Sequence, residues 1–175
     1  MGYANKGAPA DNHHAGSMHP EHDPSVGRLP YDPAKAKALM AEAGMADYEH
    51  ELISIDDDWR KNTTDAVAAQ LRDAGIKVKR TILPGSTFWN DWAKYPFSST
   101  NWNHRPFATQ VWGLAYRSGE AWNEMGWSNA EFDALLAEAN AIADADKRRA
   151  VAGKCQALIA CLLYTSPSPR DPTKS

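Results

Sequence analysis

The residues best equipped for chemistry lie close together in residues 97–107, FSSTNWNHRPF. An indole can stack on a ligand, and an amide and an imidazole can exchange hydrogen bonds with it. A guanidinium can bind a carboxylate through two parallel hydrogen bonds. The sequence therefore predicts either a ligand contact or a turn held by its own side chains. The group consists of Trp102, Asn103, His104 and Arg105.

Each member of this group also has an interpretation without a ligand. Arg105 could pair with a neighbouring acid such as Asp58 or Glu124. Trp102 could pack within its own domain, and His104 could stabilise a turn. The residue types alone do not decide between these interpretations.

A second candidate pair lies in AWNE, residues 121–124. Asn123 is predicted either to contact a ligand or to cap a turn, because asparagine often bonds to nearby backbone. Trp122 is predicted either to contact a ligand or to lie in the core, as is typical of large aromatic side chains.

The N-terminal segment DNHHAGSMHPEH is rich in possible metal ligands. Imidazole suits nickel, copper or zinc. Adjacent histidines in a Gly- and Pro-rich loop do not fix a coordination geometry, and a solvated loop explains them equally. We therefore predict no resident metal and no other cofactor, with a metal site as the alternative. Its ligands would be His13, His14, His19 and His22, with Met18 beside them.

The composition excludes several classes of protein. The 175 residues carry a net charge of -3 with both signs interspersed, which is not the footprint of a nucleic-acid-binding protein. Two cysteines give neither a disulfide framework nor a metal motif. Phosphate-loop, serine-hydrolase and His-Glu-x-x-His motifs are absent from the sequence. A small metal-binding or hydrolytic α/β enzyme is therefore only the alternative to a binding protein.

The elements that must position these residues alternate between helix and strand. The predicted strands are residues 49–55, 76–83 and 97–102, with helices between them and four-residue loops after them. This order is typical of a parallel α/β sheet. Ligands of such sheets lie beyond the carboxyl ends of the strands, so residues 56–59, 84–87 and 102–105 should share one rim.

Helix ends and buried faces follow from local signals. Asp32 and Pro33 begin the first helix, and Gly44 ends it. Ser128 and Glu131 form a predicted capping box. The residues predicted to face inward are Ala36, Leu39, Met40 and Ala43 in the first helix, and Val67, Leu71 and Ala74 in the second.

Three segments differ in composition. Residues 1–31 are predicted to form an extended, loop-rich arm. Residues 32–160 are predicted to form the folded α/β part of the chain. Residues 161–175, CLLYTSPSPRDPTKS, look like translated sequencing-adapter read-through, so we predict a non-native tail there.

Several motifs resemble one protein family when they are taken together and in order. They are YDPAKAKALMAEAG, AAQLRDAGIKVKR and NAEFDALLAEANAIADADKRRAVAGKCQALIA, with YPFSSTNWNHRP and LAYRSGEAWNE. This order and spacing is similar to the C-terminal lobe of family 5 extracytoplasmic solute-binding proteins, which serve ABC importers of the dipeptide, oligopeptide and nickel type. The resemblance covers about residues 1–160.

The resemblance implies a fold and a function. The fold would be one lobe of a two-lobed periplasmic-binding-protein-like architecture, with a small, largely parallel sheet and flanking helices. The chain would be a fragment that lacks its signal peptide and N-terminal lobe. It would bind a peptide-like or other small polar or anionic solute outside the cytoplasm, in the periplasm or its equivalent, and deliver it to the ABC permease. In the resembling branch, similar histidines lie near the hinge-side loop, so those of the arm would line the cleft.

One departure from the family pattern bears on the solute. Peptide-binding members carry an aspartate soon after the tryptophan that matches Trp102, and it pairs with the peptide's amino terminus. Here Asn103, His104 and Arg105 follow instead. The resemblance therefore favours a carboxylate or other anionic group at Arg105 over a free amine.

Overall fold

The computed structural model describes residues 11–162, apart from the side chain of Leu162. The chain divides into two compact units. We call Pro30–Trp102 the sheet unit, and the described part of Met1–Leu29 and Asn103–Ser175 the helical unit. Most of the predicted non-native tail, residues 163–175, and the first ten residues of the predicted arm lie outside the described residues.

The sheet unit holds two strands and three helices. They are α1 (Pro33–Glu42), β1 (His50–Ile55), α2 (Asp58–Asp73), β2 (Val78–Leu83) and α3 (Gly85–Asp91). The helical unit holds three further helices, α4 (Ala108–Ala115), α5 (Ala130–Ala141) and α6 (Ala145–Leu162). No helix within residues 11–162 combines the length and the apolarity needed to cross a membrane.

The two strands pair in parallel, from His50 opposite Val78 to Ile55 opposite Leu83. The predicted third strand is reduced to one parallel bridge between Ile53 and Ser98. There the Ile53 N–H donates to the Phe97 carbonyl at 3.0 Å, and the Ser99 N–H donates to the Ile53 carbonyl at 2.9 Å. The predicted α/β class is confirmed, with β1 hydrogen-bonded on both of its sides.

Alternate residues of β1 serve two small cores on opposite faces of the sheet. Leu52 packs with Ala68 of α2 and with Val78. Ile53 and Ile55 pack with Phe88 of α3. Because side chains alternate along a strand, Leu52 faces α2 whereas Ile53 and Ile55 face α3.

A buried guanidinium fastens α2 to the sheet. The Arg80 side chain is 10% exposed, and its Nε donates to Asp65 of α2 at 2.9 Å. Its terminal nitrogens donate to the Leu52 carbonyl at 2.6 Å and the Ser54 hydroxyl at 2.8 Å. The cation is therefore paired and hydrogen-bonded, as burial of a charge requires.

The helix ends follow the local signals closely. The Asp32 carboxylate accepts from the Lys35 N–H at 2.8 Å, Pro33 is the first residue of α1, and Gly44 has φ of 72°. The capping prediction at the start of α5 is wrong by one residue. Asn129 is the cap and accepts from the Phe132 N–H at 2.9 Å, while the Ser128 hydroxyl donates to Ser118.

The predicted buried faces of the first two helices are wrong in part. No residue of α1 is buried, and Leu39 is 53% exposed. In α2, Thr64 and Ala68 are buried, whereas Val67 is exposed. The Thr64 hydroxyl donates to the Arg60 carbonyl at 2.7 Å. This bond satisfies the hydroxyl and allows threonine to take the inward position.

In the helical unit, α5 and α6 pack against each other and α4 packs against α5. Helix α6 continues to Leu162, two residues past the predicted end of the folded part. The largest fully buried apolar side chains of this unit are Trp112, Phe132, Leu136 and Ile159. Within residues 11–29 there is neither helix nor strand, as expected for a loop-rich arm.

Candidate functional site

The carboxyl ends of the two strands meet at one edge of the sheet unit. Of the segments predicted to share a rim there, residues 56–59 and 84–87 and Trp102 lie in the sheet unit, whereas residues 103–105 belong to the helical unit, so their place on this rim stays a prediction. Asp57 follows β1, caps α2 and accepts from the Arg60 N–H at 3.0 Å. The Arg60 Nε donates to the Asn101 side chain at 2.6 Å, which brings the segment after the Ser98 bridge to the same edge. Gly85 follows β2, and a Cβ there would lie 3.1 Å from the Ile55 side chain.

Tryptophans line this edge. The ring of Trp102 lies 6.3 Å from that of Trp92, which lies 6.2 Å from that of Trp89. The Arg60 guanidinium lies 4.9 Å from the Trp59 ring and 6.0 Å from the Trp89 ring, within the range of cation–π attraction. Trp59 and Trp89 are each more than 40% exposed. The edge therefore offers flat aromatic surface beside Trp102.

Sequence reasoning placed Trp59 on this rim but missed Arg60 and Trp89 as rim residues. The usable signal was the spacing in FWNDW, which sets Trp89 and Trp92 three residues apart. Residues at that spacing share one face where the chain is helical. Trp102 is half-buried and packs against Trp92, so packing within the unit accounts for one of its faces. Its predicted contact with a ligand stays a prediction.

Arg105 is half-buried in the helical unit. One terminal nitrogen donates to the His104 carbonyl at 3.3 Å, a long bond that leaves the charge unneutralised. Among the described residues of the helical unit, no carboxylate forms an ion pair with Arg105, so the alternative pairing with Glu124 is not observed there. Asn103 and His104, which precede it, are both exposed.

The arm holds the backbone of Arg105 in place. The Gly16 N–H donates to Nδ1 of His19 at 2.9 Å, and Nε2 of His19 lies 3.1 Å from the Arg105 carbonyl. Nδ1 is thus an acceptor and Nε2 a donor, which is the neutral Nε2–H tautomer. The His104 ring stacks on His19 at 6.1 Å and 16°.

The two residues of the second candidate pair, Trp122 and Asn123, differ in burial. Trp122 is 48% exposed. Asn123 is buried, and its Nδ2 donates to the Trp127 carbonyl at 2.7 Å and the Arg117 carbonyl at 3.1 Å. Its Oδ1 accepts from the Trp127 N–H at 3.3 Å. These bonds support the turn-capping interpretation of Asn123, and a ligand contact stays a prediction for both residues.

The four candidate histidines of the arm do not share one centre, although His13 and His22 both face the Asp11 carboxylate. His14 Nδ1 lies 2.9 Å from the Tyr116 hydroxyl, and His22 Nε2 lies 2.9 Å from the Asp11 carboxylate. His13 is fully buried, and its Nε2 has no hydrogen-bond partner within the described part of the chain. In residues 11–162 no three His, Cys, Asp or Glu side chains are arranged to hold a metal ion.

Three pKa shifts accompany this arrangement. Burial lowers the pKa of His13, since the imidazolium would lose its hydration, although the nearby Asp11 partly opposes this. The hydrogen bond from His22 lowers the pKa of Asp11. Burial likewise lowers the pKa of His14, so the shifts at both histidines favour the neutral imidazole, and the shift at Asp11 favours the carboxylate.

Buried polar side chains tie the arm to the helices. The Gln156 amide of α6 donates to the Glu21 carbonyl at 2.8 Å and accepts from the Asp23 N–H at 3.1 Å. The Trp112 indole of α4 donates to the His13 carbonyl at 2.8 Å. A Cβ at residue 153 would lie 2.5 Å from a side-chain oxygen of Asp23, so a larger residue than Gly153 would require the Asp23 carboxylate to shift. Sequence reasoning missed these contacts, because they join residues about a hundred positions apart.

Comparison with protein families gives one match. Residues 2–124 match the model for the middle region of the bacterial extracellular solute-binding proteins, family 5. No curated protein matches the chain significantly.

Solved structures share the fold at low sequence identity. MoaA from A. tumefaciens R10, solved in complex with mannopinic acid, has a TM-score of 0.79 and 21% identity, over 89% of this chain and 33% of that chain. CtaP, an ABC transporter substrate-binding protein of Listeria monocytogenes, has a TM-score of 0.76 and 19% identity, over 87% of this chain and 32% of that chain. NikZ of Campylobacter jejuni, in complex with Ni(L-His), has a TM-score of 0.66 and 19% identity, over 77% of this chain and 31% of that chain. The chain spans about a third of the length of these proteins.

Proposed function

The chain belongs to the bacterial extracellular solute-binding proteins, family 5, and we propose that it is part of a receptor that captures a small polar or anionic solute. The receptor would act outside the cytoplasm and deliver its solute, peptide-like or of another kind, to the permease of an ABC importer. Solute-binding proteins make and break no covalent bond, so the hydrolytic-enzyme alternative does not hold for this family member.

One observation carries the proposed preference for an anion. Arg105 presents a guanidinium that no carboxylate of the described helical unit neutralises. A partly desolvated guanidinium without a counterion attracts a carboxylate or phosphate, to which it can donate two parallel hydrogen bonds. His19 supports this role, because its bond to the Arg105 carbonyl restricts the backbone that carries the guanidinium.

The proposed ligand contacts remain those expected from the sequence. They are Trp102, Asn103, His104, Arg105, Trp122 and Asn123. In the sheet unit, the aromatic edge around Trp102 supports stacking of an apolar group there. In the helical unit, the exposed indole of Trp122 supports the same role. The proposed protein partners are the ABC permease and the N-terminal lobe that the longer relatives imply.

A titration of the 175-residue chain tests the charge preference. The probes are a dipeptide, its N-acetylated form and the C-terminal amide of that N-acetylated form, with binding followed by the indole and guanidinium NMR signals. We expect the two carboxylate-bearing probes to bind, and the neutral C-terminal amide of the N-acetylated peptide to bind about tenfold or more weakly. Equal binding of acid and amide, or a requirement for the free amine, would contradict the proposal.

Two arginine variants provide a matched comparison. We expect R105Q to weaken binding of the carboxylate probes by about tenfold and R105K by less, since lysine keeps the charge but loses the fork of donors. R117Q is the control, because Arg117 is an exposed arginine of the same unit that already pairs with Glu120. It should bind the probes as the unchanged chain does. A loss of the same size in R117Q would show a non-specific charge effect.

A further inference from the structure

An open depression of about 420 Å³ lies beside α4 in the helical unit. Its volume is within the range of small-molecule sites, about 300–1,000 Å³. It is lined by Arg105, Thr109, Gln110, Gly113, Leu114 and Asn140. All six residues belong to the helical unit, so the depression is complete within that unit.

The charge of the depression is positive. Arg105 is the one charged residue among the six that line it, and it has no carboxylate partner among the described residues of its unit. An anion entering the depression would meet a guanidinium without displacing an existing ion pair. The electrostatic attraction of Arg105 therefore favours anionic over neutral solutes in the depression.

Two amides lie around this cation. Gln110 and Asn140 are exposed, and neither side chain has a hydrogen-bond partner in the described part of the chain. Each amide offers both donors and an acceptor, so together they can bind groups that do the same, such as hydroxyls or peptide amides. The apolar surface is supplied by Leu114 and Gly113.

Gly113 keeps the depression open. It lies inside α4, and a Cβ built on it would meet no atom within 4 Å. Its backbone is outside the left-handed region, so a larger residue fits there without strain. Helix propensity alone would favour alanine at this position. A side chain there would occupy the space above the helix.

We propose that this depression is a subsite for a carboxylate flanked by hydrogen-bonding groups, with Arg105 on the carboxylate and Gln110 and Asn140 on its neighbours. The proposal rests on the proposed receptor function and adds three determinants to it, the two amides and the empty space at Gly113. Two sources share this chemistry. They are the carboxyl end of a short peptide and a hydroxylated acid such as a sugar acid.

Titration of the 175-residue chain with defined probes tests the subsite. The probes are gluconate against glucitol, and N-acetyl-alanyl-alanine against its C-terminal amide, each up to about 20 mM because an isolated subsite binds in the millimolar range. We expect saturable shifts of the Arg105, Gln110 and Asn140 side-chain signals with an acid and not with its neutral partner. The acid that binds more tightly identifies the source. If neither acid shifts these signals, the subsite proposal is wrong.

Substitutions separate this proposal from the receptor function. We expect G113L to weaken binding at least about tenfold and G113A by less than about threefold, because the leucine side chain would project into the depression much further than a methyl group. Melting temperatures should not fall in either variant, since both residues favour helix over glycine. Q110A and N140A should each weaken binding severalfold.

The two proposals fail in different ways. If R105Q abolishes carboxylate binding while G113L, Q110A and N140A bind as the unchanged chain does, the subsite is wrong and the anion-binding receptor stands. If R105Q also binds normally, the anion preference proposed for the receptor fails as well.

Discussion

Removal of the Glu21 carboxylate should loosen the arm from the helices. Glu21 is fully buried, and one oxygen accepts from the Ala108 N–H at the start of α4 at 3.2 Å. The other oxygen lies 3.2 Å from Nε of Arg148 on α6, whose side chain is 16% exposed. Without a good hydrogen-bond angle between these two atoms, the contact is mainly a charge pair. One arm residue thus joins two helices.

The size of the effect follows from what each variant leaves behind. E21A removes the carboxylate that pairs with the largely buried Arg148 guanidinium, and breaking a buried pair costs about 3–5 kcal/mol of stability. It also leaves the Ala108 N–H without its acceptor, a loss of about 1–3 kcal/mol. Because Arg148 can turn partly towards solvent, we expect a total near the lower sum, about 4 kcal/mol. E21Q keeps an acceptor for the Ala108 N–H, so its loss of stability should be smaller than that of E21A by at least about 1 kcal/mol.

Native-state hydrogen exchange is the appropriate assay, because the two units need not unfold together. We expect faster exchange of α4 and α6 amides in E21A, with β1 and β2 of the sheet unit unchanged. D146N removes the exposed Asp146–Arg149 pair from the same helix and should change exchange little. If E21A exchanges no faster than D146N, the assignment of Glu21 as the anchor of the arm is refuted.

Two further predictions concern titratable groups in the helical unit. Because the pKa values of His13 and His14 are lower in the folded than in the unfolded chain, the unfolded chain binds more protons below about pH 6.5, and stability should fall as pH drops from there, by at most about 1.4 kcal/mol per pH unit for each histidine. Urea unfolding between pH 7.5 and 5 measures this, and H13Q should flatten the slope; an equal slope in H13Q would exclude His13 as its source. Burial raises the pKa of Cys155 to about 12, whereas Cys161 is exposed, so iodoacetamide at pH 8 should modify Cys161 first and Cys155 only in urea. Mass spectrometry of tryptic peptides identifies the modified thiol, and rapid native labelling of Cys155 would contradict its burial.

Local signals predicted the sheet unit well. The Asp32 cap, Pro33 and Gly44 bound α1 as expected, and the alternation in residues 50–55 gave β1. These features are decided by neighbours in sequence, so they can be read from sequence. The third predicted strand pairs only through the Ser98 bridge to Ile53, and such pairing between distant segments is not decided by neighbours in sequence.

Burial was harder to predict than helix formation. The first helix forms from its caps, but an apolar stripe becomes buried only where another surface covers it. Nothing described covers Leu39, whereas Ala68 lies under the sheet with Thr64 beside it. The hydrophobic pattern predicted a helix, and it could not predict which face has a partner.

The arm shows the same limit at longer range. Its sequence predicted a loop, and the described residues 11–29 are a loop. Whether that loop is solvated or packed depends on Gln156, Arg148 and Trp112, which bond to its backbone and to Glu21 from far along the chain. No local pattern around the histidines reveals these partners.

The solute is the part of the function least accessible from sequence, and the geometry around Arg105 explains why. Charge is a one-residue property, so a guanidinium without a carboxylate beside it already favours an anion. Gln110 and Asn140 carry amides that donate and accept equally well, and a peptide bond or a row of hydroxyls satisfies both. Discrimination between those two solutes must then come from shape, and the open space above Gly113 is where shape would act. G113L therefore tests whether this space takes part in binding, and the comparison of gluconate with N-acetyl-alanyl-alanine shows which of the two solutes fits it better.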